Sequence, residues 1–173
     1  MSKKPVCPHC GSKDVSEVES FYHCHECHSD FGRPAVTDDG RLMEEAMTGL
    51  RFRYGDLLTG SVHLRMVQDE DGGCLFEVYD ANEGGVDKVA DVMTAEKWTE
   101  VRKQLFDDLY VMDWDREYYP VNDGREIQPN NAWELVVSVS DDEEYSYKGV
   151  DAYPVYWKKF MKLIEPYFDA LKK

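Results

Sequence analysis

The sequence predicts an α+β fold: a small cysteine-bearing module at the N-terminus, then a mainly antiparallel sheet with two helices packed on one face. Three observations point there. Two Cys-x-x-Cys pairs, Cys7-Pro8-His9-Cys10 and Cys24-His25-Glu26-Cys27, stand with thirteen residues between them. After residue 48, several runs alternate apolar and polar residues with the period of strands. Two further runs space their apolar residues as helices do, which suits a sheet covered from one side.

Four thiolates on two tight turns meet the tetrahedral demand of a structural zinc ion, and the predicted ligands are Cys7, Cys10, Cys24 and Cys27. Gly11 follows the first pair, where the absence of a Cβ lets backbone amides turn towards sulfur. Gly11 to Asp14 reads as a turn, Val15 to Tyr22 has β character, and Phe31 is placed to cover the site. His9, His23, His25 and His28 crowd the pairs, and one of them could replace a thiolate, although four cysteines already complete the set. Disulfides or a redox dithiol compete with this reading. Ser2-Lys3-Lys4-Pro5 does not read as a secretory leader, and no βαβ pattern surrounds either pair, so a metal in a reducing cytoplasm is the better expectation. Cys74 stands far away and reads as a small buried hydrophobe.

Cys7-Pro8-x-Cys10-Gly11, Tyr22-x-Cys24-x-x-Cys27 and Phe31 together resemble the zinc-ribbon family over roughly the first 33 residues. The resemblance implies a ribbon fold and a bound zinc. It implies no activity, because such modules recur in unrelated contexts. A module with so small an apolar core is expected to fold only with its metal.

Arg33 to Gly40 reads as a linker, and Leu42 to Met47 as one helical turn or a short strand. The expected organisation is a ribbon over 1–33, a linker over 34–47 and an acidic α+β domain over 48–173. Ser61 to Val67 and Cys74 to Tyr79 form a predicted hairpin around Asp71-Gly72-Gly73, with a third strand over Val86 to Met93. Thr94 reads as the N-cap of an amphipathic helix of about four turns, with Trp98, Val101, Leu105 and Leu109 on its apolar side. Tyr110 to Trp114 is expected as a short strand, and Asp123-Gly124 and Asn130-Asn131 as turns. Trp133 to Val139 alternates clearly; 141–144 reads as a hairpin tip, and Tyr145 to Lys148 as the returning strand. Pro154 suits the first turn of a closing helix whose stripe runs through Tyr153, Trp157, Phe160, Ile164, Tyr167 and Leu171, with a kink or restart at Pro166.

Asp113-Trp114, Asp123-Gly124, Trp133-x-Leu135, Gly149, Tyr153-Pro154, Trp157 and Phe160 are similar, in order, to the C-terminal half of a group of small uncharacterised bacterial domains with a sheet and a closing helix. That similarity implies fold alone. Each residue also has a local account: Asp-Gly for a turn, Gly149 for a strand end at positive φ, and Trp133 and Trp157 for packing across the sheet–helix interface.

Net charge is −15, of which residues 1–33 carry −1 and the rest −14. Nucleic-acid binding draws on clustered Lys and Arg, so this balance argues against direct contact with nucleic acid. It suits a protein partner, a basic one in particular, or simply solubility. No apolar run approaches the 18 or so residues of a membrane span.

Catalytic constellations are sparse. Cys74 and His63, read across the predicted hairpin, stand six residues apart along the ladder, roughly 20 Å. Asp80 to Asp91 faintly matches a calcium loop, with a Gly at its sixth position and a carboxylate at its twelfth. Asp113, Asp115 and Glu117 alternate and, in a strand, would share one face fit for a divalent cation. No phosphate-binding loop, nucleophile elbow or zinc-protease motif occurs. The expected function is therefore a non-catalytic, zinc-binding adaptor that engages a protein partner. The alternatives are a cation-dependent enzyme using those three carboxylates, and an acidic mimic of nucleic acid seated in a basic cleft.

Overall fold

The computed structural model describes residues 5–56, 60–82, 85–120, 131–140 and 143–169. The N-terminal ribbon is a three-stranded antiparallel sheet of β1 (Val15–Val18), β2 (Phe21–Cys24) and β3 (Asp30–Phe31). Then come α1 (Met43–Ala46), a single turn, and four strands: β4 (Met47–Asp56), β5 (Gly60–Gln68), β6 (Cys74–Asn82) and β7 (Gly85–Met93). Helix α2 (Ala95–Lys103) runs into a π-helical turn over Gln104–Asp108 and a 3₁₀ turn over Val111–Asp113. The chain ends with β8 (Glu117–Tyr118), β9 (Asn131–Val139), β10 (Glu143–Val150) and α3 (Trp157–Phe168).

The large sheet has the order β7-β6-β5-β4-β9-β10-β8. All its pairings are antiparallel except the short β10–β8 contact. Strands β4 to β7 form a meander, because successive hairpins bring consecutive strands together at the least loop entropy. Alternation decides which face is buried: Leu50, Phe52, Leu64, Met66, Cys74, Phe76, Val78, Trp133, Leu135 and Val137 point into one core with residues of α1, α2 and α3.

Helix α2 starts where the Thr94 hydroxyl accepts from the Lys97 amide at 3.1 Å. Its buried Trp98 donates from the indole to Gln68 Oε1 at 2.8 Å, so a large ring is buried without an orphaned N–H. Helix α3 lays Phe160 against Phe52, with ring centroids 5.1 Å apart, and Tyr167 against Phe76 at 5.0 Å. Trp157 meets Trp133 at 5.0 Å, as the sequence suggests. Full burial of each such ring contributes on the order of 2–3 kcal/mol.

Several expectations are corrected. Tyr110 to Trp114 is a 3₁₀ turn, entered through Tyr110 in the left-handed region at φ 52°. The hairpin register pairs Gln68 with Cys74 and His63 with Tyr79, one residue off the pairing expected from Asp71-Gly72 as the turn, which sets Cys74 opposite Asp69 and His63 opposite Asp80. The reason is a five-residue loop: the Asp69 carboxylate accepts from the amides of Asp71 and Gly73, and the Asp69 amide donates to Gly73 O. Gly149 is extended rather than at positive φ; a Cβ there would lie 2.4 Å from Trp133 Nε1, so glycine makes room for the indole. In α3 the inward aromatic at the start is Tyr156, and Tyr153 is exposed. The helix continues through Pro166 to Phe168 without the expected break; the carbonyl whose partner proline removes belongs to Lys162, an exposed residue. Around the expected calcium loop, Asp80 to Asn82 and Gly85 to Asp91 are paired strand backbone with Asp80 opposite Asp87, not the wrapping loop of a calcium site, and residues 83–84 lie outside the described residues. Of the expected tip over 141–144, Glu143 and Glu144 already belong to β10, paired with Val139 and Ser138; residues 141–142, both expected turns, Asp123-Gly124 and Asn130-Asn131, and Leu171 lie outside the described residues, save Asn131, which opens β9.

Residues 34–47 pack rather than dangle. Val36 bridges Leu42, the Arg41 amide donates to the Thr37 hydroxyl at 3.1 Å, and Met43 and Ala46 enter the main core.

Candidate metal centre

The two cysteine turns are built alike. In the first, the Cys7 amide donates to Ser12 O at 2.9 Å; in the second, the Cys24 amide donates to Ser29 O at 2.9 Å. Each turn closes through a residue at positive φ four positions after its first cysteine: Gly11 at 78° and His28 at 62°. Glycine adopts that conformation freely, whereas histidine does so at a cost of about 1–2 kcal/mol. The Gly11 amide donates to Cys7 O at 2.8 Å, and the His9 amide points at Cys7 Sγ at 3.4 Å.

This pairing of turns brings all four sulfurs within 4.8 Å of one another. Cys7 and Cys27 Sγ are 3.6 Å apart, and Cys10 and Cys24 Sγ 3.5 Å. A disulfide needs about 2.05 Å. Zinc–sulfur bonds of about 2.3 Å place tetrahedral sulfurs about 3.8 Å apart, which matches the observed spacing. Cys7 and Cys24 are fully buried beside Val15 and Phe31, so one side of the cluster is walled by apolar side chains. Among the described residues, no other set of three or more His, Cys, Asp and Glu ligand atoms gathers closely enough to hold a metal.

The surroundings grade the thiols. The Ser29 hydroxyl and amide pull Cys27 down to about 6. At Cys10 the Ser12 amide favours the thiolate, but loss of solvent and the neighbouring thiols outweigh it and carry the group up to about 12. Burial pushes Cys7 up. Bound cations displace such protons outright, since thiolate is the ligating form.

Three of the four crowding histidines have other partners. His23 Nδ1 meets Asp30 Oδ1 at 2.7 Å, His25 Nε2 meets Ser16 Oγ at 2.5 Å, and His9 Nδ1 lies 3.5 Å from Asp115. The imidazole of His23 and the guanidinium of Arg33 hold the Asp30 carboxyl below its usual range.

The first turn leans on the α+β domain. The Tyr156 hydroxyl donates to Val6 O at 2.6 Å, and the Gly32 amide donates to Asp113 Oδ2 at 3.0 Å. Tyr110 stands edge-on to Phe31 at 5.3 Å and to Tyr22 at 6.4 Å, and meets Tyr156 at 5.7 Å. It thus joins the ribbon core to the main core, and its burial carries the phenol up to about 12. Burial also raises the Asp113 carboxyl, although the Gly32 amide works the other way.

The remaining candidates stay dispersed. Asp113 faces Gly32, Asp115 faces His9, and Glu117 pairs with Lys148 at 3.5 Å, so the three carboxylates share neither a strand nor a centre. Cys74 points into the core, where burial takes its thiol up to about 12, while His63 stacks on Tyr79 at 4.5 Å on the opposite face. The four clustered cysteines and Phe31 beside them are those the sequence pointed to. Sequence reasoning missed His28 as the counterpart of Gly11, a repeat visible only as equal offsets from Cys7 and Cys24. It also missed Tyr110, Asp113 and Tyr156, whose contacts with the ribbon span 78 or more residues of chain and leave no local signal.

No protein-family model matches the chain, and no curated protein matches it.

Proposed function

We propose that the four cysteines hold a structural zinc ion and that the chain is a non-catalytic adaptor whose ribbon is a preformed recognition tip on an acidic α+β domain. The supporting observation is the closed set of four thiolates. Four protein ligands complete a zinc tetrahedron and leave no open position for substrate or activated water. Thiolates also select zinc over hard cations such as magnesium or calcium. Residues 1–33 and 48–173 act as two modules in this reading, with 34–47 packed between them.

The orientation of the ribbon indicates which part meets the partner. The first turn is occupied by Val6, Tyr156 and Asp115 contacts. The second turn leaves His25, Glu26 and His28 exposed to solvent. A metal there stiffens a short loop, so binding loses little conformational entropy. A nuclease-treated pull-down from the native host, run with wild type and Cys24→Ser/Cys27→Ser, tests the reading. A protein retained by wild type and released by the variant supports it. Equal retention moves recognition to the α+β domain, and no captured protein counts against an adaptor. Among the described residues no helix is long and apolar enough to cross a membrane.

A further inference from the structure

The sheet face opposite the helices carries a charge pattern that the overall composition does not lead one to expect. On β4, Arg51 and Arg53 point away from the core; on β5, His63 and Arg65 do the same. The register sets Arg51 directly opposite Arg65, and Arg53 directly opposite His63. Like charges placed opposite each other on a sheet are destabilising. Yet three arginines meet here in a chain with 35 acidic residues and 20 Lys and Arg.

Their neighbours do not neutralise them fully. Arg51 meets exposed Glu144 at 3.1 Å, and Glu77, opposite Arg65, is drawn to Lys88 at 3.3 Å. Among the described residues neither Arg53 nor Arg65 has an ion-pair partner. Glu134, opposite Arg53 in the ladder, is the one carboxylate lining the hollow of about 370 Å³ that these side chains frame with Tyr79. The stems rise from β4 and β5, which are inner strands of a seven-stranded sheet, so their roots are rigid.

We propose that this hollow binds a phosphate-bearing small molecule, with Arg51, Arg53 and Arg65 as its ligands. Neighbouring strands stand about 4.8 Å apart and alternate residues about 6.6 Å. Two or three guanidinium forks therefore reach one or two phosphoryl groups at once, and the planar fork matches phosphate oxygens in pairs. The hollow has the volume of a small-molecule site. The strongly acidic remainder of the chain repels a long polyanion, but a compact anion needs only the local cluster. His63 lies beside it; burial and Arg53 hold its imidazole towards the neutral form. A bound phosphate dianion reverses that influence, which gives the site a spectroscopic signature. The proposal is independent of the adaptor reading.

The test is titration of the full-length, metal-loaded protein with inorganic phosphate and with pyrophosphate at constant ionic strength. Calorimetry reports affinity, and NMR follows the His63 ring, the only imidazole outside the ribbon. Saturable pyrophosphate binding is expected, with a rise in the His63 pKa. Arg53→Gln and Arg65→Gln should each weaken binding about tenfold, the size of one charged hydrogen bond. Arg41→Gln, outside the hollow, should leave it unchanged. Since both test substitutions relieve repulsion, thermal melts should show the variants at least as stable as wild type. No saturable binding, equal binding by Arg53→Gln/Arg65→Gln, or binding of a single-stranded oligonucleotide without binding of pyrophosphate would overturn the proposal.

Discussion

Single residues carry sharply different loads in this molecule, and Asp113 shows how. Its carboxylate is half-buried and accepts from the Gly32 amide. Because burial raises its folded-state pKa, the charged form opposes folding at neutral pH. That opposition fades as pH falls through the folded pKa. Asp113→Asn keeps an acceptor for Gly32 without the buried charge, so thermal melts at pH 7 should place it level with wild type or above. Asp113→Ala orphans the amide and should lose about 1–3 kcal/mol. The stability difference between Asp113→Asn and wild type should shrink as pH is lowered. His28 poses the reverse case: its value lies in its backbone. His28→Gly should keep the metal and match or exceed wild-type stability by up to about 1 kcal/mol, since glycine adopts the left-handed conformation freely but gains entropy when unfolded. A fall in metal occupancy comparable to that of a cysteine variant would mark His28 as a ligand instead.

At the scale of elements, what was legible in the sequence was whatever is encoded locally. The spacing of the two Cys-x-x-Cys pairs, the alternation over Trp133 to Val139 and the Thr94 cap each name their own structure, and each is present. The failures have one physical origin, which is tertiary contact overriding local preference. Tyr110 to Trp114 has strand-like composition, yet it turns because Tyr110 must reach Phe31 and Tyr156. Gly149 resembles a turn residue, yet it is extended because the Trp133 indole occupies the space of its side chain while donating to Ala152 O at 2.8 Å. The register of β5 and β6 depends on Asp69 capping its own loop, a choice that counting turn residues does not resolve. Gly149→Ala should accordingly destabilise by more than an ordinary strand substitution, on the order of 2–3 kcal/mol, since neither the indole nor the backbone at Ala152 can yield easily. Phe160→Ala should lose about 3–5 kcal/mol, because it empties the junction of α3 with Phe52 and Trp114. Denaturant melts read both values, and a loss below 1 kcal/mol at either site would show that the sheet–helix interface is not packed as described.

The whole molecule is a small cysteine-bearing ribbon seated against a larger α+β core, and the proposed zinc site makes the ribbon the metal-dependent part. In the ribbon, Cys7, Val15, Cys24 and Phe31 form one small cluster, and residues of the large sheet and the helices form another, with Tyr110 touching both. Few apolar atoms lie in the first cluster to offset the entropy of ordering about 30 residues, so under the proposed zinc site metal binding supplies the difference. Amide hydrogen exchange after chelation should lose protection across β1 to β3 while β4, β5 and β9 keep theirs. Tyr156→Phe, which removes the donor to Val6 O, should loosen the first cysteine turn with little effect on the sheet. Everything proposed for the ribbon stands on four thiolates holding one zinc ion per chain, and elemental analysis of the purified protein, wild type beside Cys24→Ser/Cys27→Ser, decides it. About one zinc per wild-type chain and none in the variant is expected. Wild type without stoichiometric zinc, or a variant that retains it, would overturn the zinc site.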